Sequence, residues 1–204
     1  RAEMGDDVDY VLTTRELGQM IKQAGIEIME LEKDNYDNLL GTSTGAAAIF
    51  GSTGGVMEAA LRTAYELITD EELENLDFNQ VRGLEGLREA EVEIDGMNLR
   101  VAVVHGLGNA RKIMERIKSG QEYHFVEFMA CPGGCIGGGG QPRTPTEDVI
   151  EKRQKALYDI DRNYEVRKSH ENPNIQKIYN EYLEEPGSHL SHKLLHTEYT
   201  KKGI

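Results

Sequence analysis

Cys131 and Cys135 are the only cysteines in the chain, and both lie in the block Glu127-Phe-Met-Ala-Cys-Pro-Gly-Gly-Cys-Ile-Gly-Gly-Gly-Gly-Gln-Pro142. Thiolates bind soft metals, and iron–sulfur clusters are held almost entirely by cysteine sulfur. Residues 133–140 include six glycines, which let a backbone approach an inorganic cluster and aim its N–H groups at anionic sulfide. Such a run is too long for an ordinary turn. On residue chemistry alone it reads as half of a metal-cluster cradle. Two other readings stay open at this level: a pair of inert cysteines in a glycine-rich loop, or a partial zinc site completed by His189, His192 and His196, whose spacing shares one helix face. Zinc ribbons rarely follow a second cysteine with four glycines.

Gly51-Ser-Thr-Gly-Gly55 leads into a helix N-terminus and could be taken for a phosphate loop. It lacks the Gly-Lys-Ser/Thr ending, so no nucleotide site is assigned. His170, His189, His192 and His196 are expected to lie on the surface or pack in the tail, with no cysteine or carboxylate arranged beside them. Arg167-Lys168 and Lys201-Lys202 are expected to be solvated basic runs.

The cysteine block resembles the third cysteine signature of the iron-only, or [FeFe], hydrogenases, Glu-x-Met-Ala-Cys-x-x-Gly-Cys-x-x-Gly-Gly-Gly-x-Pro. Every fixed position is matched, by Glu127, Met129, Ala130, Cys131, Gly134, Cys135, Gly138, Gly139, Gly140 and Pro142. Asp9-Tyr-Val-Leu-Thr-Thr-Arg-Glu-Leu17, Ile49-Phe-Gly-Ser-Thr-Gly-Gly-Val-Met-Glu-Ala-Ala-Leu-Arg62 and Arg167-Lys-Ser-His-Glu-Asn-Pro173 resemble further blocks of the same catalytic domain, in the same order.

The resemblance implies reversible reduction of protons to H₂ at an H-cluster. In that cluster a [4Fe–4S] cubane is joined to a two-iron subcluster carrying CO, CN and dithiolate ligands. Cys131 would bind the cubane alone, and Cys135 would bind it and bridge to the two-iron site. Gly134 and Gly138 would line the cluster. Met129, Phe50 and Gly51 would surround the two-iron subcluster, with Gly51 offering a backbone contact to a diatomic ligand. The family's two earlier signatures, Thr-Ser-Cys-Cys-Pro and Pro-Cys-x-x-Lys, do not occur in this sequence. Two cubane thiolates, a proton-relaying cysteine and a lysine would therefore come from an upstream half of the domain. The expectation is a C-terminal fragment that is inactive alone. The partners implied are that upstream half, ferredoxin, and NAD(P)H-linked subunits. Two related alternatives are a hydrogenase-like iron–sulfur assembly protein and a sensory protein without turnover.

The 204 residues carry 36 acidic and 23 basic side chains, a net charge of −13, which argues against nucleic acid as a partner. No apolar run approaches a membrane span of roughly 18–20 residues. Two cysteines flanked by glycine make a poor structural disulfide, which favours a reducing compartment. The segment after the third signature resembles the separate small subunit of the family's periplasmic branch. Here it is continuous with the rest, which points to the cytoplasm.

The elements that must position the cysteines follow from periodicity. The pattern predicts a strand over residues 8–13, then a helix with a Thr13/Glu16 capping box that closes at Gly25. Residues 30–45 read as an irregular loop, Val56 to Ile68 as a helix, and Phe78 to Arg82 as a short strand. Glu91 to Val104 reads as a hairpin turning at Asp95-Gly96. A helix ending at Gly120 and a strand Tyr123–Phe128 would deliver Cys131 at the strand's carboxyl end. Helices are expected over Glu147–Ile160, Pro173–Leu183 with Asn172 as cap, and Ser188–Tyr199. The fold expected is α/β: one lobe, 1–143, with a small mostly parallel sheet flanked by helices, and a helical tail, 144–204.

Overall fold

The computed structural model describes residues 9–34, 40–142 and 146–196. It is a mixed α/β fold built on three strands, β1 (Leu87–Ile94), β2 (Met97–His105) and β3 (Phe125–Met129), in the order β1-β2-β3. β1 and β2 form the expected hairpin. Ile94 pairs with Met97 across Asp95-Gly96, both at positive φ (49° and 72°), as a two-residue primed turn requires. β2 and β3 are parallel, with Val101 opposite Phe125 and His105 opposite Met129, and helix α4 (Leu107–Lys118) makes the crossover. The sheet is thus mixed rather than mostly parallel: one pairing is a hairpin, whose turn permits only the antiparallel sense.

β2 is central, and Val101 to Val104 are buried in an unbroken row. Alternate side chains face opposite ways. Val101 and Val103 join Val92, Ile94, Phe78 and Val81 against Met57 and Leu61 of helix α3 (Gly55–Thr69). Ala102 and Val104 pack on Ile113 of α4. A strand covered on both faces reads as a continuous apolar run, which is the pattern here.

Helix α1 (Thr14–Gln23) has both halves of its capping box, and Gly25 follows at φ 69°. Two predicted strands are absent. Tyr10 and Val11 are 86% and 87% exposed, and no strand pairs with residues 9–13 among the described residues; an apolar run without a neighbour to receive its hydrogen bonds is not a strand. Val8 lies outside the described residues. Phe78 to Arg82 instead forms a 3₁₀ turn at Asn79–Val81, which buries Val81. The predicted loop over 30–45, of which 35–39 lie outside the described residues, ends in a short helix, α2 (Gly45–Ile49), capped by Thr44.

The tail begins with α5 (Glu147–Asn163). Helix α6 (Pro173–Ile178), capped by Asn172, widens into a π turn over Tyr179–Leu183. Helix α7 (His189–Leu195) starts at its Ser188 cap; the rest of the predicted span, to Tyr199, extends beyond the described residues. α5 packs directly on α2: a Cβ added to Gly45 would fall 2.2 Å from Asp161 Oδ1.

Candidate metal centre

β3 ends at Met129, and the chain turns at once through Cys131-Pro-Gly-Gly into a single 3₁₀ turn, Cys135–Gly137. Gly133 and Gly134 both have positive φ, 77° and 96°. Gly134 combines φ 96° with ψ −160°, a region open essentially to glycine alone. A Cβ there would lie 2.7 Å from Thr53 N and 2.9 Å from Met129 Sδ. The thioether therefore rests against the residue between the two cysteines. A Cβ at Gly138 would come within 3.0 Å of Cys135 O and 3.7 Å of Cys131 Sγ. The loop runs close to the sulfur because it has no side chains of its own.

Three distant segments hold this loop. The Gly51 turn docks on it through Ile136 N–H donating to Gly51 O at 3.0 Å and Thr53 N–H donating to Gly133 O at 3.0 Å. The start of α1 reaches its far end, where Arg15 N–H donates to Gly140 O at 3.2 Å and Gln141 Nε2 to Thr14 Oγ1 at 3.3 Å. α5 supplies the third. Arg153 donates to Ile136 O at 2.7 Å and Pro142 O at 3.1 Å, and Gln154 to Ser52 Oγ at 2.7 Å.

Glu127 binds the two halves of the site together. Its buried carboxylate accepts from Gly54 N–H at 2.7 Å and Met57 N–H at 2.8 Å, capping α3 from the neighbouring strand. Burial pushes this carboxyl above the usual range, although the N–H groups of Gly54, Met57 and Val56 pull the other way. Glu127 is a fixed position of the signature, with no role expected of it from the sequence. The signal was there in the glycines at 54 and 55, which cannot cap their own helix with a side chain.

Among the predicted site residues, Cys131, Cys135, Met129, Gly134, Gly138 and Gly51 are gathered around the loop. Cys131 is half-buried and Cys135 exposed, and both are free thiols. Phe50 is 45% exposed, next to Gly51, and lines an apolar groove with Val56, Ala60 and Leu67. The donor set suits one side of a thiolate-held cluster: two sulfurs, glycine at each point of closest approach, and a buried Thr53 hydroxyl that finds no hydrogen-bond partner among the described residues. The zinc alternative draws no support. Among the described residues, neither cysteine is grouped with two further metal-ligating side chains, and His192 and His196 stack on each other with ring centroids 4.3 Å apart.

A buried charge network between lobe and tail escaped the sequence reading. Arg62, Glu58 and Asp161 are fully buried. Arg62 meets Glu58 at 2.7 Å and Asp161 at 2.8 Å; Arg82 joins Glu58, and Arg167 joins Asp161. Burial alone would push the Asp161 carboxyl up, but Arg62 and Arg167 outweigh it and hold it below the usual range. Its legible trace was the Glu58/Arg62 pair one helical turn apart in an alanine-rich helix.

Lys168, expected on a solvated face, is buried between Glu66 (2.6 Å) and Glu171 (2.8 Å). His170 also has a carboxylate beside it, Glu66 at 2.7 Å. Glu66, His170 and Glu171 gather closely enough to hold a cation, and the Lys168 ammonium already sits between the two carboxylates. Lys201-Lys202 lies outside the described residues.

The comparisons agree with this geometry. The profile of "Iron only hydrogenase large subunit, C-terminal domain" matches residues 1–139, and that of "Iron hydrogenase small subunit" matches 147–202. NADP-reducing hydrogenase subunit HndD of Solidesulfovibrio fructosivorans is 50% identical over 197 residues, covering 96% of this chain and 34% of that one. Iron hydrogenase 1 of Clostridium pasteurianum is 48% identical, covering 96% and 35%. A solved variant of [FeFe]-hydrogenase HydA1 from Chlamydomonas reinhardtii superposes with a TM-score of 0.76 at 43% identity, over 97% of this chain and 56% of that one. Cytosolic iron-sulfur assembly component 3 of Mus musculus is more distant, at 34% identity over 95% of this chain. The chain spans about a third of the length of the two hydrogenases it matches at half identity. With both profiles matched in order and the cysteine loop docked on the Gly51 turn, the chain belongs to the iron-only hydrogenase family.

Proposed function

We propose that this chain is the C-terminal part of an [FeFe] hydrogenase catalytic subunit, working in the reversible reduction of protons to H₂ and depending on an upstream half for the rest of its cluster. The observation that carries the reading is the docking of the loop that bears Cys131 and Cys135, almost without side chains, against Met129 through Gly134 and against the Gly51 turn through Gly133 and Ile136. Residues 1–143 form the cluster-binding lobe and 144–204 the small-subunit-like tail.

When bound, the H-cluster would supply the redox chemistry. Cys131 and Cys135 would ligate its cubane, Cys135 would also bridge to the two-iron subcluster, and Gly134 and Gly138 would leave room for it. Met129, Gly51 and Phe50 would shape the apolar wall. This chain's own work is ligation, exclusion of water and fixation of the loop. Ferredoxin is the electron partner proposed, with NAD(P)H-linked subunits as an extension suggested by the name of the Solidesulfovibrio relative. Among the described residues, no helix is long and apolar enough to cross a membrane. The cytoplasm is the compartment proposed, on the continuity of the tail with the lobe. Identity of 50% to a hydrogenase against 34% to an assembly component supports the enzyme over the assembly reading.

The test is an infrared spectrum of the chain produced anaerobically with the upstream half and the maturation proteins. CO and CN⁻ stretching bands that vanish in Cys135→Ala are expected. A cubane-containing protein without such bands would favour the assembly-type alternative.

A further inference from the structure

One face of α5 is dedicated to the cysteine loop. Ile150, Arg153, Gln154 and Leu157 recur at helical spacing, so they form a single stripe. A Cβ added to Gly133 would meet Ile150 Cγ2 at 2.7 Å, and one added to Gly51 would meet Leu157 Cδ1 at 2.9 Å. Gln154 holds Ser52 in the Gly51 turn. Arg153 makes the one charged contact in the stripe, its two terminal nitrogens donating separately to Ile136 O and Pro142 O. These carbonyls lie on either side of the glycine run 137–140, and Ile136 directly follows Cys135. A planar guanidinium can bridge two acceptors in fixed relation, which an ammonium cannot. It is also a permanent cation, held one residue from a thiolate ligand.

We propose that Arg153 is a positioning residue for the cluster on Cys131 and Cys135: it clamps the glycine run shut, and its charge favours the reduced, more negative state of the cubane. This rests on the hydrogenase reading above. Arg153 touches neither cysteine; it acts through the carbonyls of Ile136 and Pro142. The helical tail, on this view, tunes the centre as well as supporting the lobe.

The experiment uses the chain assembled with its upstream half and compares R153Q and R153K with the unsubstituted protein. The cubane midpoint potential is read by redox titration followed by electron paramagnetic resonance. R153Q, which removes the cation, is expected to lower the reduced-to-oxidised ratio at a fixed ambient potential about tenfold, equivalent to about 59 mV for one electron. R153K, which keeps the charge and loses the fork, is expected to stay within about threefold while binding its iron less tightly. Should R153Q not fold, a potential close to wild type in R153K together with faster loss of iron to a chelator carries the same proposal. A normal cluster whose potential is unmoved in R153Q overturns it, since a merely structural arginine would change stability alone. Absence of any cubane in the unsubstituted protein would overturn the hydrogenase reading and this proposal with it.

Discussion

Glu127 and Met57, seventy residues apart, are joined by a 2.8 Å hydrogen bond from the Met57 backbone N–H to the Glu127 carboxylate. With the companion bond from Gly54, it makes the end of the strand that carries the cysteines the cap of the helix that follows the Gly51 turn. Strand, helix and both loops at the site thus share one buried anion. Its position at a helix N-terminus suits the partial positive charge there.

Removing that anion should loosen the whole junction. E127A is expected to destabilise the protein by about 1–3 kcal/mol, because two buried N–H groups lose their acceptor. E127Q, which keeps one acceptor oxygen, should fall between. Denaturant unfolding of the metal-free protein checks both, and equal stability of E127A and wild type would contradict the capping role.

The Arg62 network should behave as a unit. R62M would leave Glu58 and Asp161 without their shared partner, and Arg82 and Arg167 reach only one each. The expected loss is about 3 kcal/mol or more, in the range for breaking a buried ion pair. Because Asp161 lies on α5 and Arg62 on α3, lobe and tail should unfold in one transition in the wild type. Separate probes on α3 and α5 that melt apart in the wild type would refute this.

Acid sensitivity should trace partly to Glu66. Burial pushes its carboxyl up, but the Leu73 N–H, Lys168 and His170 outweigh that and bring it from 4.5 down to about 2. A depressed carboxylate stabilises the fold above its unfolded value, and that contribution is lost as pH falls from about 4.5 toward 2. E66Q should therefore be less stable at neutral pH by roughly 1–2 kcal/mol, after allowance for solvent screening, and should lose less between pH 5 and pH 3. Thermal melts across that window measure the difference.

Two glycines of the loop, Gly134 just before Cys135 and Gly139 four residues after it, make a contrast. G134A forces a Cβ against Thr53 and Met129 at φ 96° and should cost roughly 2–4 kcal/mol along with the bound iron. G139A has open space around it and should stay within about 0.5 kcal/mol of wild type. Iron analysis and melting temperature together test the pair, and matching losses would contradict the close packing of Gly134 against Thr53 and Met129.

What could be read from residues alone divides along physical lines. Periodicity located α1, α3, α4 and the hairpin, because an amphipathic face or a two-residue turn is a local property. The cysteine loop was legible as a unit for the same reason: its cysteines and glycines are adjacent in the chain. The strands expected at residues 8–13 and 78–82 do not form among the described residues, because pairing partners are not encoded locally. Arg153 and Lys168 looked like ordinary charged residues; their roles come from carbonyls and carboxylates brought in from other parts of the chain. Phe50 shares a turn with Gly51, but its ring is partly exposed, which the sequence pattern could not foretell.

A cradle made of carbonyls, amides and bare α-carbons leaves a protein engineer few letters to change. Within 133–140, six of the eight positions are glycine, and several of those tolerate no Cβ. Variation in the properties of the centre between related proteins must then enter from outside the loop. Met129 at the strand end, the Gly51 turn, the start of α1 and the Ile150-to-Leu157 stripe of α5 are the surfaces that reach it. A search for altered behaviour of the proposed centre would sample those positions first, and a library aimed at the glycine run would return mostly misfolded protein.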